Sequence, residues 1–443
     1  MTVESRRPFI ALLAPRGFSA YYPFMRWLFA DPQNPEEAAY LKRTLAAIDA
    51  WWQAFQQNAS RLAAFASGSQ DWDVDAFFEQ WLMPIDRRLV WELLPGANVS
   101  GLAAAAHRLV VTTEGDRRLR PLLQTFLQRA PTLPDWQFLI YRPAELVEQA
   151  ARWVRNRAGV DVTGALVEVR QAPGRKIDLY YFFPSLAHCA SAALTEQAWL
   201  VTEAILGEQV LDAWVGQIVV IEPAQAGQFQ LLPLAHAQAV VVALIRSYQQ
   251  QLPLQPVAER ARQIALSSIT LSPPPPALDY PDWTDLVQAA TRDPELFRAT
   301  HSGQPFVSAC HSRHGEVFAY LKIEKPELAG DALLPASWSV AEQAFRCDAV
   351  LRQAKVGCVW GEGSGLRYHY LELALTDAMA AVQPLRGWAS EQRLPVRSWL
   401  LWHDDDLGGE WVGLHPHSPP PPQGETPLVA PPADVPLAEK APS

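Results

Sequence analysis

An internal repeat constrains the fold of this chain more than any other feature. Residues 194–214 align without a gap with residues 340–360, and each segment carries Glu-Gln-Ala near its start and a tryptophan at its end. The apolar positions also agree and have the spacing of one helix face. In the first copy they are Leu194, Ala198, Val201 and Ile205, and in the second Val340, Ala344, Cys347 and Leu351. The sequence therefore predicts two related units, each with an amphipathic helix.

A predicted β-hairpin precedes the helix in both copies, over residues 165–183 and 305–323, with Gly174 and Gly315 near the turns. Alternate residues of each second strand are apolar, which is typical of a sheet with one face in a core. A strand, a short Leu-x-Leu segment and a second helix follow. We therefore predict an α+β fold made of tandem ferredoxin-like units of the form ββαβ(β)α, with mixed or antiparallel sheets.

A chain of 443 residues is too long for one hydrophobic core, so several domains are expected. A weaker third unit is suggested upstream by element order alone. Two proline-rich stretches suggest a linker and a disordered tail. The predicted segments are an N-terminal helical segment (1–66), a first α+β unit (67–160), repeat copy 1 (161–255), a linker with a helix (256–302), repeat copy 2 (303–408) and a disordered, proline-rich tail (409–443).

Charge and composition exclude some classes of protein. A formal net charge of -10 argues against nucleic-acid binding, and we interpret the basic cluster Arg117, Arg118 and Arg120 as a solvated helix face. No segment approaches the roughly 20 apolar residues of a membrane span. The four cysteines contain no Cys-x-x-Cys pair, which favours ordinary reduced thiols. We expect a soluble, cytoplasmic protein with no membrane partner.

Aromatic side chains cluster on the predicted strands of copy 2. They are Tyr320, Tyr368, Tyr370 and Trp399. They could be buried where two units pack face to face. Alternatively, they could form an open platform that binds a peptide or a partner strand, or on which single-stranded RNA stacks. The acidic charge makes the RNA alternative the least favoured, and these four residues are the candidate binding site.

Two groups of polar residues could support catalysis. His403, Asp404 and Asp406 could bind a divalent cation, with Glu362 or His369 completing the site, although consecutive acids often only solvate a strand end.

Cys310, His311 and His314 place a thiol beside imidazoles. Neighbouring strand residues point to opposite faces, however, which argues against a nucleophile and base pair.

A glycine-rich run resembles a phosphate-binding loop. It contains Gly361, Gly363 and Gly365, but it is followed by a strand pattern and lacks the Gly-Lys-Ser of a Walker motif. We interpret it as a flexible or tight connection between strands.

Two segments carry a resemblance to known sequences. The first contains Trp51, Trp52, Phe55, Asn58, Trp91, Glu92, Ala130, Pro131, Trp136, Arg142 and Pro143, and the second contains the three glycines, Tyr368, Tyr370 and Asp377. In these segments the chain resembles uncharacterised bacterial proteins that are grouped as domains of unknown function. The resemblance covers less than half of the chain and implies a bacterial α+β protein with no established activity.

A duplicated fold without a convergent polar site is typical of a scaffold. We therefore expect a non-enzymatic protein-binding or regulatory protein, adaptor-like or immunity-like, with no cofactor and with a basic protein partner. The alternative is a metal-dependent hydrolase whose site lies in the C-terminal unit.

Overall fold

The computed structural model describes residues 3–4, 25–69, 72–95, 106–186, 188–189, 194–328, 339–423 and 426–427. The chain forms two compact units. Unit 1 comprises Met1–Leu252, Arg298–His311 and Asp404–Glu410, and unit 2 comprises Pro253–Phe297, Ser312–His403 and Trp411–Ser443. Both units contain helices and sheets, so the predicted α+β class is confirmed. Among the described residues, no helix is long and apolar enough to cross a membrane.

The N-terminal part of unit 1 is a four-stranded sheet covered by a long helix. Its elements are β1 (Val3–Glu4), α1 (Pro35–Ala66), α2 (Val74–Trp81), β2 (Val90–Pro95), β3 (His107–Thr112), α3 (Arg120–Gln128), β4 (Trp136–Leu139) and α4 (Val147–Ala158). The strand order is β1-β2-β3-β4, in which only the β3–β4 pair is parallel. Asn34 caps α1 by accepting hydrogen bonds from two backbone N–H groups of the first turn. Trp52 and Phe55 of α1 lie in an aromatic core.

The second part of unit 1 contains repeat copy 1. Its elements are β5 (Leu166–Ala172), β6 (Lys176–Phe182), α5 (Thr195–Leu206), α6 (Glu208–Trp214), β7 (Val215–Val220), β8 (Leu232–Pro233) and α7 (Leu234–Gln250). The strand order is β7-β6-β5-β8, and only the β6–β7 pair is parallel. This is the same arrangement as in the N-terminal sheet: an antiparallel hairpin, a helix, and a strand that returns parallel to the second strand of the hairpin. In the third unit suggested by element order, strands β2, β3 and β4 therefore have the order and directions of β5, β6 and β7 in copy 1.

Unit 2 is built on a seven-stranded sheet. Its elements are α8 (Val257–Arg260), β9 (Ser267–Thr270), β10 (Ala277–Asp279), β11 (Leu286–Thr291), α9 (Pro294–Thr300, which ends in unit 1), β12 (Val317–Glu324), α10 (Val340–Ala354), β13 (Gly357–Gly365), β14 (Tyr368–Leu375), α11 (Ala378–Glu391), β15 (Ser398–Trp402), β16 (Val412–Gly413) and β17 (Thr426–Pro427). The strand order is β16-β15-β12-β14-β13-β11-β9, and every pair is antiparallel. Strands β10 and β17 form a separate two-stranded pair.

The two repeat copies share a helix but not a strand order. Helices α5 and α10 occupy the predicted positions, and the predicted stripe is buried in both, from Ala198 to Ile205 and from Ala344 to Leu351. In copy 1 the strand after the helix pairs in parallel with β6, whereas in copy 2 that strand, β13, pairs with β14 and β11. Tandem equivalent ferredoxin-like units are therefore not confirmed.

The difference has a local cause. In copy 2, β13 is followed after two residues by the eight-residue β14, so the two strands close a hairpin at little entropic cost, and β14 then lies beside β12. In copy 1, a 3₁₀ segment and the two-residue β8 follow β7, so β7 has no hairpin partner. The predicted first hairpin strand of copy 2 is also wrong, because residues 308–310 form a 3₁₀ turn.

The proline-rich segments also differ from the predictions. The predicted linker, 256–302, supplies three strands of unit 2, because its apolar residues pair and pack on both sides of the proline run. The predicted tail begins too early at 409. Val412 pairs with Leu400 of β15, and Val412 and Leu414 are buried. Residues 424–425 and 428–443 of the predicted tail lie outside the described residues.

Candidate functional site

The four aromatic residues predicted to bind a partner are buried. Tyr320, Tyr368, Tyr370 and Trp399 have exposed fractions of 2%, 0%, 1% and 0%. They share one sheet face, because Lys322 of β12 lies opposite both Tyr370 of β14 and Trp399 of β15. All four side chains are therefore buried, and they do not form the predicted open platform.

Segments predicted to be a linker and a tail cover this face. The hydroxyl of Tyr368 donates to Asp279 over 2.5 Å, and the hydroxyl of Tyr370 donates to Asp285. The indole N–H of Trp399 donates to the carbonyl of Pro419 over 2.6 Å. Alternation in the sequence identified which side chains share a face, but the cover comes from distant parts of the chain.

Lys322 lies at the centre of the covered face, and sequence reasoning missed it. Its Nζ donates to the carbonyl of Tyr280 and lies 4.3 Å from the centroid of the Tyr368 ring. Burial lowers its pKa to about 8, although Asp285 and other nearby carboxylates oppose the shift. A single lysine in an otherwise apolar strand is weak evidence for a buried charge, because alternation alone would place that lysine on a solvated face of the sheet.

Asp285 shows why the glycine run is needed. Its carboxylate accepts hydrogen bonds from the backbone N–H groups of Arg367 (2.6 Å) and Tyr368 (3.0 Å). A Cβ on Gly365 would lie 2.4 Å from this carboxylate, and a Cβ on Gly363 would lie 2.6 Å from Leu286. The interpretation as a strand connection is wrong, because the glycines lie within β13 and make room for the neighbouring segment.

Ion pairs surround this aromatic face. Arg397 pairs with Asp279 over 2.5 Å and with Glu324 over 3.1 Å, and Arg367 pairs with Glu324 over 2.6 Å. These charges satisfy one another in partly buried positions. The arrangement therefore fastens the covering segment to the sheet.

The predicted metal ligands have separate partners. The Nε2 atom of His403 lies 2.7 Å from the carboxylate of Glu372, and both side chains are almost fully buried. Asp404 accepts hydrogen bonds from the backbone N–H and the hydroxyl of Ser308. Asp406 lies 3.4 Å from Nε of Arg117.

The two residues suggested to complete the metal site lie on β13 and β14. Burial raises the pKa of Glu362 and lowers the pKa of His369 to about 4. His369 and Glu372 alternate on β14, so His369 and the Glu372–His403 pair lie on opposite faces of the sheet. The described residues contain no group of three or more His, Cys, Asp or Glu side chains that could hold a metal ion.

The predicted thiol and imidazole cluster lacks an activated nucleophile. Cys310 is buried, and burial raises its pKa to about 12, which disfavours the thiolate. His311 is also buried, its pKa is lowered to about 3, and its Nδ1 lies 2.9 Å from Nη1 of Arg175. A ring nitrogen of His314 lies 3.1 Å from the carbonyl of Leu254. None of these contacts joins the thiol to a base.

The basic cluster at 117–120 is not a solvated helix face. Arg120 is fully buried, and its guanidinium donates to Glu208 over 2.6 Å and to Asp212 over 2.9 Å. Arg117 pairs with Asp405 over 3.1 Å. These arginines neutralise carboxylates inside unit 1, so they do not form a basic surface.

The structure reveals one repeated surface feature that the sequence alignment contained. Trp199 of α5 and Phe345 of α10 occupy the same position of the repeat, directly after Glu-Gln-Ala. Their exposed fractions are 41% and 77%. The apolar stripe in the sequence predicted the buried face of each helix. In both copies an aromatic residue lies outside that stripe, and this was the sequence feature from which an exposed aromatic could have been predicted.

A small cavity lies where β6 and β7 end. Its volume is about 10 Å³, and its lining includes Phe182, Leu186, Cys189 and Val220. This volume admits about one water molecule, so the cavity does not accommodate a substrate.

Comparison of the chain with protein-family models, with curated proteins and with solved structures found no match. The resemblance to bacterial domains of unknown function therefore stays a hypothesis.

Proposed function

We propose that this chain is a non-enzymatic, protein-binding scaffold that acts as an adaptor or a regulator. The observation that carries the proposal is the pair of exposed aromatics at equivalent positions of α5 and α10. Large aromatic side chains are enriched among the residues that dominate binding energy at protein interfaces. The same position is exposed in both copies although the sheets differ, which supports a role for the helix surface itself.

The charges beside the aromatics support a basic partner. Glu196 and Glu342 lie three residues before Trp199 and Phe345, and residues with this spacing are neighbours on a helix surface. Glu196 therefore presents a carboxylate beside Trp199, which suits a lysine or arginine side chain of a partner. In copy 2 the carboxylate of Glu342 already pairs with Arg346 of the same helix over 2.5 Å, so the support for a basic partner comes from copy 1. The net charge of -10 would favour encounter with such a partner.

The buried polar groups support the same proposal. The sheet face of unit 2 and the carboxylates of unit 1 bind groups of the protein itself. We infer no catalytic site from them, and no contact among the described residues favours the hydrolase alternative. Bacterial origin and a cytoplasmic location remain part of the proposal.

The test compares the wild-type chain with the double variant Trp199→Ala and Phe345→Ala in capture of partners from a native bacterial extract. The control is Leu254→Ala, which also removes an exposed apolar side chain, 79% exposed, outside the repeated helices. We expect a stoichiometric partner with wild type and control. With the purified partner, the double variant should bind at least about thirtyfold more weakly, since such aromatics contribute about 2 kcal/mol or more.

Both truncations are at exposed helix positions, where alanine is well tolerated, so the variants should keep the far-ultraviolet circular dichroism of wild type. The proposal fails if no stoichiometric partner is recovered at any salt concentration, or if the double variant binds the partner as tightly as the control.

A further inference from the structure

The six-residue strand β7 lies at an edge of its sheet with no strand beyond it among the described residues. The other edge strands are shorter: β4 and β9 have four residues, β10 has three, and β1, β8, β16 and β17 have two. Strand β7 reads Val-Gly-Gln-Ile-Val-Val, without a charge or a proline. Native sheets commonly protect their edges with charged residues, prolines or short strands, and β7 has none of these.

The register shows which backbone groups point outward. The N–H of Ile221 donates to the carbonyl of Tyr181, and Tyr180 and Val219 are partners in the parallel ladder. In such a ladder, alternate residues bond to the neighbouring strand, so the N–H and C=O groups of Ile218 and Val220 point away from β6. These groups form a template for a further strand.

The charges beside β7 define the chemistry of the strand that would fit. A carboxylate oxygen of Asp178 accepts a hydrogen bond from the N–H of Gln217 over 2.8 Å, next to the edge. Glu222 is exposed and lies two residues after the end of the strand. Half-buried Val219 and Val220 supply apolar contacts. The edge therefore combines apolar contacts with carboxylates at its side and its end.

We propose that the β7 edge binds an extended segment of a partner protein in which apolar residues alternate with lysine or arginine. The added strand would pair with the outward N–H and C=O groups of Ile218 and Val220, which is recognition by β-strand addition. Its basic side chains would lie near Asp178 and Glu222. This inference rests on the proposed function only in assigning a protein partner, because it uses a surface separate from Trp199 and Phe345.

The probe is a short fluorescent peptide in which valine alternates with lysine, and the control peptide has glutamate in place of lysine. We expect the wild-type chain to bind the lysine peptide and not the glutamate peptide. The variant Val220→Pro removes one outward N–H without removing a bond to β6, and the matched Val220→Thr keeps that N–H in a side chain of similar shape. Val220→Pro should bind at least about tenfold more weakly than Val220→Thr, a difference of about 1.4 kcal/mol.

Amide hydrogen exchange of the wild-type chain keeps the inference testable if the proline variant does not fold. Bound peptide should slow exchange in residues 215–221 and leave β4, the edge strand of the other sheet in unit 1, unchanged. The inference is overturned if the lysine peptide does not bind, if proline and threonine variants bind it equally, or if β7 is protected by self-association at increasing protein concentration without peptide. The double variant of Trp199 and Phe345 should bind the peptide normally, so failure here and failure of the proposed function are distinguishable.

Discussion

Neutralising the buried carboxylate of Asp404 should stabilise the protein at neutral pH. Asp404 is 9% exposed and accepts a 2.7 Å hydrogen bond from the N–H of Ser308 and a second bond from the Ser308 hydroxyl. Burial raises its pKa from the ordinary 3.8 to about 6, with the bonds from Ser308 opposing the shift. The folded state therefore prefers the protonated acid more strongly than the unfolded state does.

The sign and size of the effect follow from linkage. Because the folded pKa is the higher one, the contribution of Asp404 to stability is fully present below pH 3.8 and is lost as the pH rises to about 6. Above that pH the free energy of unfolding is about 3 kcal/mol lower than it is below pH 3.8, because the folded state then holds an ionised carboxylate in a buried position. In Asp404→Asn the amide is always neutral, accepts from the N–H of Ser308, and can donate to its hydroxyl.

Denaturant unfolding of wild type and Asp404→Asn between pH 4 and pH 8 measures this effect. The free energy of unfolding should be similar near pH 4, and the variant should become more stable by about 2 to 3 kcal/mol above pH 7. Ser308→Ala is the matched control. It removes a bond to the ionised carboxylate, so it should raise the pKa of Asp404 further and steepen the loss of stability with pH. A variant that is less stable than wild type at every pH, or a difference that does not change with pH, would refute the reasoning.

Two further predictions concern packing and thiol reactivity. Gly365→Ala should destabilise unit 2 by about 2 kcal/mol or more, because the added Cβ would meet the carboxylate of Asp285. The control Gly387→Ala, in α11 with open space around it, should stabilise the protein by about 0.5 to 1 kcal/mol. Thermal unfolding of the two variants measures both effects, and equal effects would contradict the packing argument. In the native chain only Cys189 should react quickly with a thiol reagent, because Cys310, Cys347 and Cys358 are buried and burial raises their pKa values. Titration of thiols before and after unfolding should show one and then four reactive thiols. A second thiol that reacts quickly in the native chain would contradict this prediction.

The pattern of apolar residues predicted most local elements. The helices at 195–206 and 340–354 and the second hairpin strands at 176–182 and 317–324 lie where periodicity placed them, within a few residues. These elements are predictable because a helix or strand that buries one face must repeat its apolar residues at its own period. The burial of Val201 and Cys347 at matching positions follows from the same rule.

The candidate site was not predictable in the same way. Tyr368 and Tyr370 were correctly placed on one sheet face, but period 2 does not reveal what lies above that face. The cover comes from Asp279 and Asp285, more than 80 residues earlier in the chain, and from Pro419. The charged residues Arg120 and Lys322 were misjudged or missed because burial of a charge depends on partners that are distant in sequence.

The sequence by itself determined the α+β class, the amphipathic helices and the side chains that share a face, since each depends on the spacing of neighbouring residues. Only the tertiary structure decided that β13 pairs with β14 and not with β12, that β7 is left at a sheet edge, and that the aromatic face is covered. Strand partners and covering segments are selected by the free energy of contacts between distant parts of the chain. Two segments with the same local pattern can therefore form sheets of different order.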